Sequence, residues 1–298
     1  MIKCGRIRKR EAVLAEVKVV TDSAVCLPSE LIDEYGIELV PEVIMFGDKA
    51  YRDGIDLTRR EFFTLLKQAN ELPTTSASSP QDFIDAYQKA AQEANSIACI
   101  LVTAGFSSMG LESATAAKGA LAQVPIEIFD SRTAVGAYGF VALAAARAAV
   151  SGKSLNEVIK AAEDVRSRVT VILTLETIEY VAKGGRIGKA AFWAGTLLSI
   201  KPVLEVPPSS GVLEPLERIR SRPKVLNRLL ELMGERVGTN EPVHVSIDHG
   251  NVPDEADWLK AQVISWFNCA EIYINDFAPV AGAHCGPGVI ALSFYTGN

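Results

Sequence analysis

What most constrains the folding of this chain is an alternation in its first half. Three short apolar runs, at 17–20, 97–102 and 126–129, each end on hydroxyl or acidic residues and each lead into a helical pattern. Strand, helix and strand in that order close most simply into a parallel sheet with helices on its faces. In such sheets ligands sit outside the carboxyl ends of the strands. Here those ends read Thr21-Asp22-Ser23, then Thr103 through to Ser107-Ser108, then Asp130-Ser131. Hydroxyls gathered on one sheet edge are the strongest residue-level pointer to a site.

The second half reads differently. Gly152 breaks the pattern and Ser154 caps the next helix, so the expected division is an α/β domain over 17–152 and an α+β domain over 153–298. In the latter, strands at 201–206 and 212–218 flank Pro207-Pro208-Ser209-Ser210-Gly211 as a hairpin, and hairpins among helices predict a mixed sheet. Residues 170–204, TVILTLETIEYVAKGGRIGKAAFWAGTLLSIKPVL, read as a strand, a short helix stopped by Gly184-Gly185, an apolar helix, and a strand opened by Lys201-Pro202. A loop at 72–79 feeds a helix marked by Ser79 as N-cap, Pro80 at the first position and Asp82 at the third. With its hydroxyls, that helix start predicts an anion cradle. A second expected loop, 281–288, carries His284.

Composition removes several function classes. Of the 298 residues, 48% are hydrophobic and 22% charged, a globular balance long enough for about two domains. No apolar run reaches ~18 residues, so no membrane span is expected. Residues 1–16 are basic but lead into no apolar segment of ~7–15 residues, so no secretory signal is expected. The 5 cysteines form no CxxC pair, which fits reduced cytosolic thiols and argues against structural zinc. A net charge of −6 opposes general nucleic-acid binding. The local exception is the basic run Arg218, Arg220, Arg222, Lys224 and Arg228, suited to one anionic group or an acidic partner.

Enzyme signatures are missing. GGRIGK at 184–189 lacks both the spacing and the following Ser/Thr of a phosphate loop, and there is no GxGxxG, GxSxG or HExxH. The candidates for ligand contact are Thr75, Ser76, Ser107, Ser108 and His284. For the hydroxyls the competing reading is loop and cap chemistry, and for His284 a bond to backbone. Arg220 competes with a solvated basic face.

These strings together resemble the DegV family. They are the TDS at Thr21, the Thr75–Ser79 loop, the segment ending in Ser113-Ala114, the DS at Asp130, LTLExxxxxxxGGRI from Leu173, LLSIKPVL from Leu197, RxRxK at Arg220 and HxGPG at His284. The resemblance implies a protein that binds a long-chain free fatty acid. It implies that Thr75, with Ser76 beside it, and a serine at 107 or 108 hold the carboxylate, and that His284, Arg220 and Arg222 lie near the head group or dock a separate fatty acid kinase subunit that makes an acyl phosphate. Two departures stand out: FSSMGLESA replaces LSGTYxSA, and Cys285 stands where Thr is usual. An acyl-chain wall is expected from Phe192, Trp193, Leu197 and Ile200, whose alternative is plain core packing. On this reading the chain is cytoplasmic, needs no cofactor of its own, is not itself a catalyst, and touches membranes at most transiently. The alternatives are a hydrolase or transferase using a sheet-edge serine with His284 as base, and a lipid-sensing regulator.

Overall fold

A computed structural model describes residues 14–193, 200–237 and 241–297. The chain opens with β1 (Ala15–Asp22), α1 (Ser29–Glu34), β2 (Glu38–Val40), β3 (Val43–Phe46), β4 (Lys49–Arg52), α2 (Arg59–Gln68), β5 (Thr74–Ser76) and α3 (Pro80–Ala91). It continues through β6 (Ala94–Leu101), α4 (Ala104–Ala120), β7 (Ile126–Asp130), α5 (Val135–Val150) and α6 (Leu155–Arg168). The rest comprises β8 (Thr170–Thr174), α7 (Glu179–Lys183), a 3-10 turn at Gly188–Trp193, β9 (Lys201–Glu205), β10 (Glu214–Ile219), α8 (Arg222–Arg236), β11 (Val243–His249), α9 (Pro253–Trp266), β12 (Cys269–Asp276), α10 (Pro279–Cys285) and β13 (Ile290–Thr296).

The expected parallel sheet is present, in the order β2-β1-β6-β7. The second half builds a mixed sheet, β10-β9-β8-β13-β11-β12, in which β11 and β12 run parallel and the other neighbours antiparallel. A third, antiparallel sheet, β4-β3-β5, lies outside both.

Helix α5 joins the two larger sheets. Twelve of its 16 residues are buried, as befits a helix apolar on every side, and it touches β1 and β6 on one flank and β8, β11 and β13 on the other. One apolar cluster therefore runs from Val17 to Tyr295. The turn at Gly152, with φ +74, is where the sequence pattern breaks, yet the core continues past it: α6 packs on α5 and reaches β6, β7 and β13.

Helix starts follow the local chemistry. Ser79 and Asp82 close a capping box on α3, and Ser154 and Glu157 close one on α6. Elsewhere the structure corrects the sequence reading. The hairpin expected over 37–51 is the shorter β3–β4 pair, because Pro41 separates it from β2, which pairs with β1 instead. The 72–79 loop contains β5, drawn into pairing by the open edge of β3. The 281–288 loop is helical up to Cys285, since Pro279 sits in the first turn and Gly286, at φ +74, ends it. The apolar helix expected after Arg186 is a 3-10 turn as far as Trp193, and residues 194–199 lie outside the described residues.

Candidate functional site

A cavity of about 300 Å³ lies where the carboxyl ends of the parallel strands face the mixed sheet. Ala24, Val102 and Ala134, which follow β1, β6 and β7, supply one wall, and Leu173, Val206 and Phe277 supply the facing one. These six residues are buried. Exposed members of the lining, Ser76, Ser108 and Met109, mark where the cavity meets solvent.

The strand-end rule located the site, but of the strand-end hydroxyls only Ser107 and Ser108 line it. Thr21 donates to the Ile100 carbonyl and meets the Tyr138 hydroxyl; Thr103 donates to the Gly211 carbonyl at 2.7 Å; Ser131 turns back to Thr133. Each is spent on the fold. The polar end comes from Thr75 and Ser76 on β5, Ser107 and Ser108 on α4, and His284 on α10. These five expected contact residues are thus brought together. Ser107, at φ −146 and ψ 72, interrupts α4 after its first turn, so the serines sit at a kink.

At the centre, Thr75 Oγ1 and His284 Nε2 share a hydrogen bond of 2.8 Å. His284 Nδ1 is buried and finds no partner among the described residues. Burial, and then the Arg186 charge, pushes the imidazole down to about 4, so the ring is neutral near pH 7. A neutral ring facing a threonine and a cation is a hydrogen-bonding group rather than a charge.

Sequence reasoning assigned no role to Arg186, which lines the cavity. Its placement follows from the glycine pair. Gly185, at φ +72, ends α7 in a Schellman motif in which its N–H donates to the Ala182 carbonyl and the Arg186 N–H to the Val181 carbonyl at 3.0 Å. The Arg186 guanidinium then donates to the carbonyls of Phe106 and Gly184 at 3.2 and 2.8 Å. Gly184 has a separate reason to be glycine: a Cβ there would collide with His284 Nδ1. The same string therefore aims the arginine and makes room for the imidazole.

Glu42, between Pro41 and β3, is the second charged residue in the lining without an assigned role; it is 6% exposed. Its signal was available, an acid inside the apolar run Leu39-Val40-Pro41-Glu42-Val43-Ile44. Cys285 also lines the cavity, and burial pushes its thiol up to about 12, leaving it a small apolar group.

The remaining expected residues lie elsewhere. Arg222 donates to Glu255 through Nε and Nη2, the latter at 2.6 Å, and is absent from the lining. Arg220 stands exposed just past β10, also off the lining. Two of the five basic residues are ion-paired, Arg222 with Glu255 and Arg228 with Glu217, Glu231 and Glu235, while Arg218 lies 4.7 Å over the Trp193 ring. Phe192 is 67% exposed, Trp193 is buried beneath Arg218, and Ile200 is half-buried; none of the three is in the wall. Leu197 lies outside the described residues.

Fold and site together define an α/β protein of one parallel, one mixed and one small antiparallel sheet that encloses an apolar cavity with one polar, solvent-facing end. The chain belongs to the DegV family: the profile of that family, described as "Uncharacterised protein, DegV family", matches residues 16–297. Protein DegV of Bacillus subtilis is 30% identical over 277 residues, covering 93% of this chain and 98% of that one. A DegV domain-containing protein of Streptomyces coelicolor is 32% identical, covering 93% and 97%. Among solved structures, a fatty-acid-binding DegV family protein from Thermus thermophilus superposes with a TM-score of 0.87 at 28% identity, covering 94% of this chain and 99% of its own. The structure of DegV from Bacillus subtilis, a fatty acid binding protein, gives 0.86 at 28% identity, covering 95% and 100%. Among the described residues no helix is long and apolar enough to cross a membrane.

Proposed function

We propose that this chain binds a long-chain free fatty acid, its carboxylate at Thr75, Ser107 or Ser108 and His284, and its acyl chain in the apolar depth of the cavity. The observation that carries this reading is the cavity's polarity. Its interior wall is aliphatic and aromatic, and hydroxyls, imidazole and one guanidinium gather at the rim. An acyl chain gains ~0.8 kcal/mol per buried CH₂, so a long one supplies on the order of 10 kcal/mol gross, enough to offset the lost freedom of association. The head group needs only to be satisfied and held in register, because an unpaired carboxylate at a dry mouth would be costly. Fatty-acid binding by relatives of the same fold supports the assignment.

A carboxylate held at the rim is also accessible from outside. We infer that it is presented to a separate ATP-dependent kinase subunit, which transfers the γ-phosphoryl group to a carboxylate oxygen to give an acyl phosphate and ADP. The chain is then the carrier and the kinase the catalyst. A hydrolase or transferase would instead need His284 as base within reach of Thr75, Ser107 or Ser108; the ring does bond Thr75, but with Nδ1 unpartnered among the described residues and its value pushed down to about 4 it is a weak base.

Native mass spectrometry of the purified protein, followed by denaturing extraction, tests the binding step. Near-stoichiometric fatty acid, retained or taken up after delipidation, is the expected result. A protein that neither carries nor takes up fatty acid overturns the reading. The transfer step is checked by adding kinase and ATP and trapping acyl phosphate with hydroxylamine; no hydroxamate from a loaded carrier would end that part of the proposal.

A further inference from the structure

Glu42 has no place in the site as described so far, yet its position is tightly fixed. Its backbone N–H donates to Ser23 Oγ at 3.0 Å, and its carbonyl accepts from the Asp53 N–H at 2.8 Å. The side chain is free by contrast. Among the described residues its carboxyl makes no hydrogen bond and no ion pair, although the residue is 6% exposed and lines the cavity. A buried polar group without a partner in a cavity calls for an explanation.

The register of the small sheet says what it faces. Ile44 pairs with Thr75 and Val43 with Ser76. Side chains alternate along a strand, so the face that carries Ile44 and Thr75 also carries Glu42 and Ala77, one step further on. Glu42, Thr75 and Ala77 all line the cavity, and Ser76 reaches it from the end of the strand. The carboxyl therefore stands diagonal to the threonine that bonds His284, beside the proposed head group rather than deep along the acyl chain.

An ionised Glu42 there would repel a fatty-acid carboxylate. Its surroundings favour the neutral form: burial pushes its carboxyl well above the usual range, Asp22 and Asp53 push the same way, and Arg186 opposes them. Asp22 is the acid at the end of β1, bonded by the N–H groups of Ala24 and Val102, and Asp53 follows β4, bonded by the Val280 N–H. Of the charged and titratable groups, Arg186 after α7 and His284 and Cys285 on α10 line the cavity with Glu42, whereas Asp22 and Asp53 stand behind it.

We propose that Glu42 is a positioning residue for the head group, entering the complex as a neutral carboxylic acid and donating its O–H to the ligand carboxylate held by Thr75 and His284. The inference rests on the fatty-acid reading and deepens it. Two oxygens of one anion are then satisfied from two sides, and one proton is shared between two carboxyl groups. The ligand class that fits is a carboxylic acid specifically; an ester or an alcohol of equal chain length lacks the acceptor charge.

Binding that requires the protonated acid has a fixed pH signature. Above the point where Glu42 ionises, affinity falls roughly tenfold per pH unit, because the competent fraction falls by that factor. The test is calorimetric titration of the delipidated protein with dodecanoate between about pH 6 and 9, for the wild type, Glu42→Gln and Glu42→Leu. The amide keeps a neutral donor, so Glu42→Gln should match the wild type at low pH and hold its affinity at high pH. Glu42→Leu should lose roughly tenfold to a hundredfold for dodecanoate and nothing for its methyl ester. Parallel pH profiles for the wild type and Glu42→Gln, or equal losses for acid and ester in Glu42→Leu, overturn the inference while leaving the fatty-acid reading intact. A wild-type protein that binds no dodecanoate at any pH overturns both.

Discussion

Two half-buried histidines show what separates a site from a scaffold. His244, on β11, has both ring nitrogens engaged: Nδ1 lies 2.6 Å from Glu271 Oε1 and Nε2 2.9 Å from the Gly297 carbonyl. Its ring stacks on Tyr295 at 4.3 Å. Glu271 also accepts from both Arg147 Nη atoms and from the Tyr273 hydroxyl. None of these residues lines the cavity. His284 has one nitrogen on Thr75, the other without a partner, and a cavity beside it. Chemically the two begin alike, each a histidine in a half-buried polar cluster. The difference is saturation: a closed network holds strands and helix together, whereas an incomplete one beside an empty volume is completed by a ligand.

The largest expected effect breaks the closed network. Burial pushes the Glu271 carboxyl up, but its bonds from His244, Arg147 and Tyr273 outweigh that and hold it well below the usual carboxylate range. Glu271→Ala strands all three partners, and stability should fall by about 3 kcal/mol in urea unfolding. Fatty-acid affinity of the folded fraction should be unchanged. An affinity loss as large as the stability loss would mean that the two clusters are coupled through α5 and the contrast is false.

His284→Ala should do the reverse. Removing the open ring costs at most about 1 kcal/mol in stability, while fatty-acid affinity should drop roughly tenfold to a hundredfold, the range for a hydrogen bond to a charged group. Stability loss without affinity loss would make His284 a second scaffold histidine. Gly184→Ala sharpens the point from a distance. The added methyl would occupy the space of His284 Nδ1 and displace the ring from Thr75, so affinity should fall about tenfold without touching any polar group. If it binds normally, the ring has room to spare and the fit of Gly184 to His284 carries no functional weight.

The same contrast explains which parts of the site could be read from the sequence. The glycine pair was legible because a Schellman motif is local: Gly185 needs positive φ and nothing else. The parallel sheet and its ligand edge were legible because β–α alternation is periodic. His284 was placed in a loop because Gly286-Pro287-Gly288 masks the helical character of 279–285, and Thr75 because a three-residue strand exists only when β3 is there to pair with it. The pairing of the basic run was only partly legible for a related reason. Glu231 and Glu235 lie on the same helix as Arg228, but Glu255 reaches Arg222 only through folding. Glu42 and Arg186 escaped because saturation is a three-dimensional property: no spacing tells an unpartnered acid from a paired one.

The smallest effect concerns the charge state of the open histidine. Its folded value, about 4, lies below the ordinary 6.5, so the neutral ring stabilises the folded state fully above pH 6.5. That contribution is lost progressively as pH falls from there toward 4, with a slope of at most about 1.4 kcal/mol per pH unit from one group. In the ligand-free protein, unfolding free energies measured at pH 6.5 and 5.5 should therefore differ by less in His284→Asn than in the wild type, by somewhat under 1 kcal/mol once partial exposure is allowed for. Saturating fatty acid that leaves the ring neutral should leave the wild-type dependence unchanged, because a ring already at about 4 titrates below this window. A ligand that instead flattens it would show that the imidazole becomes cationic against the carboxylate. His284 would then pair with the head group as His244 pairs with Glu271, and the distinction between the two histidines would lie only in who supplies the acid.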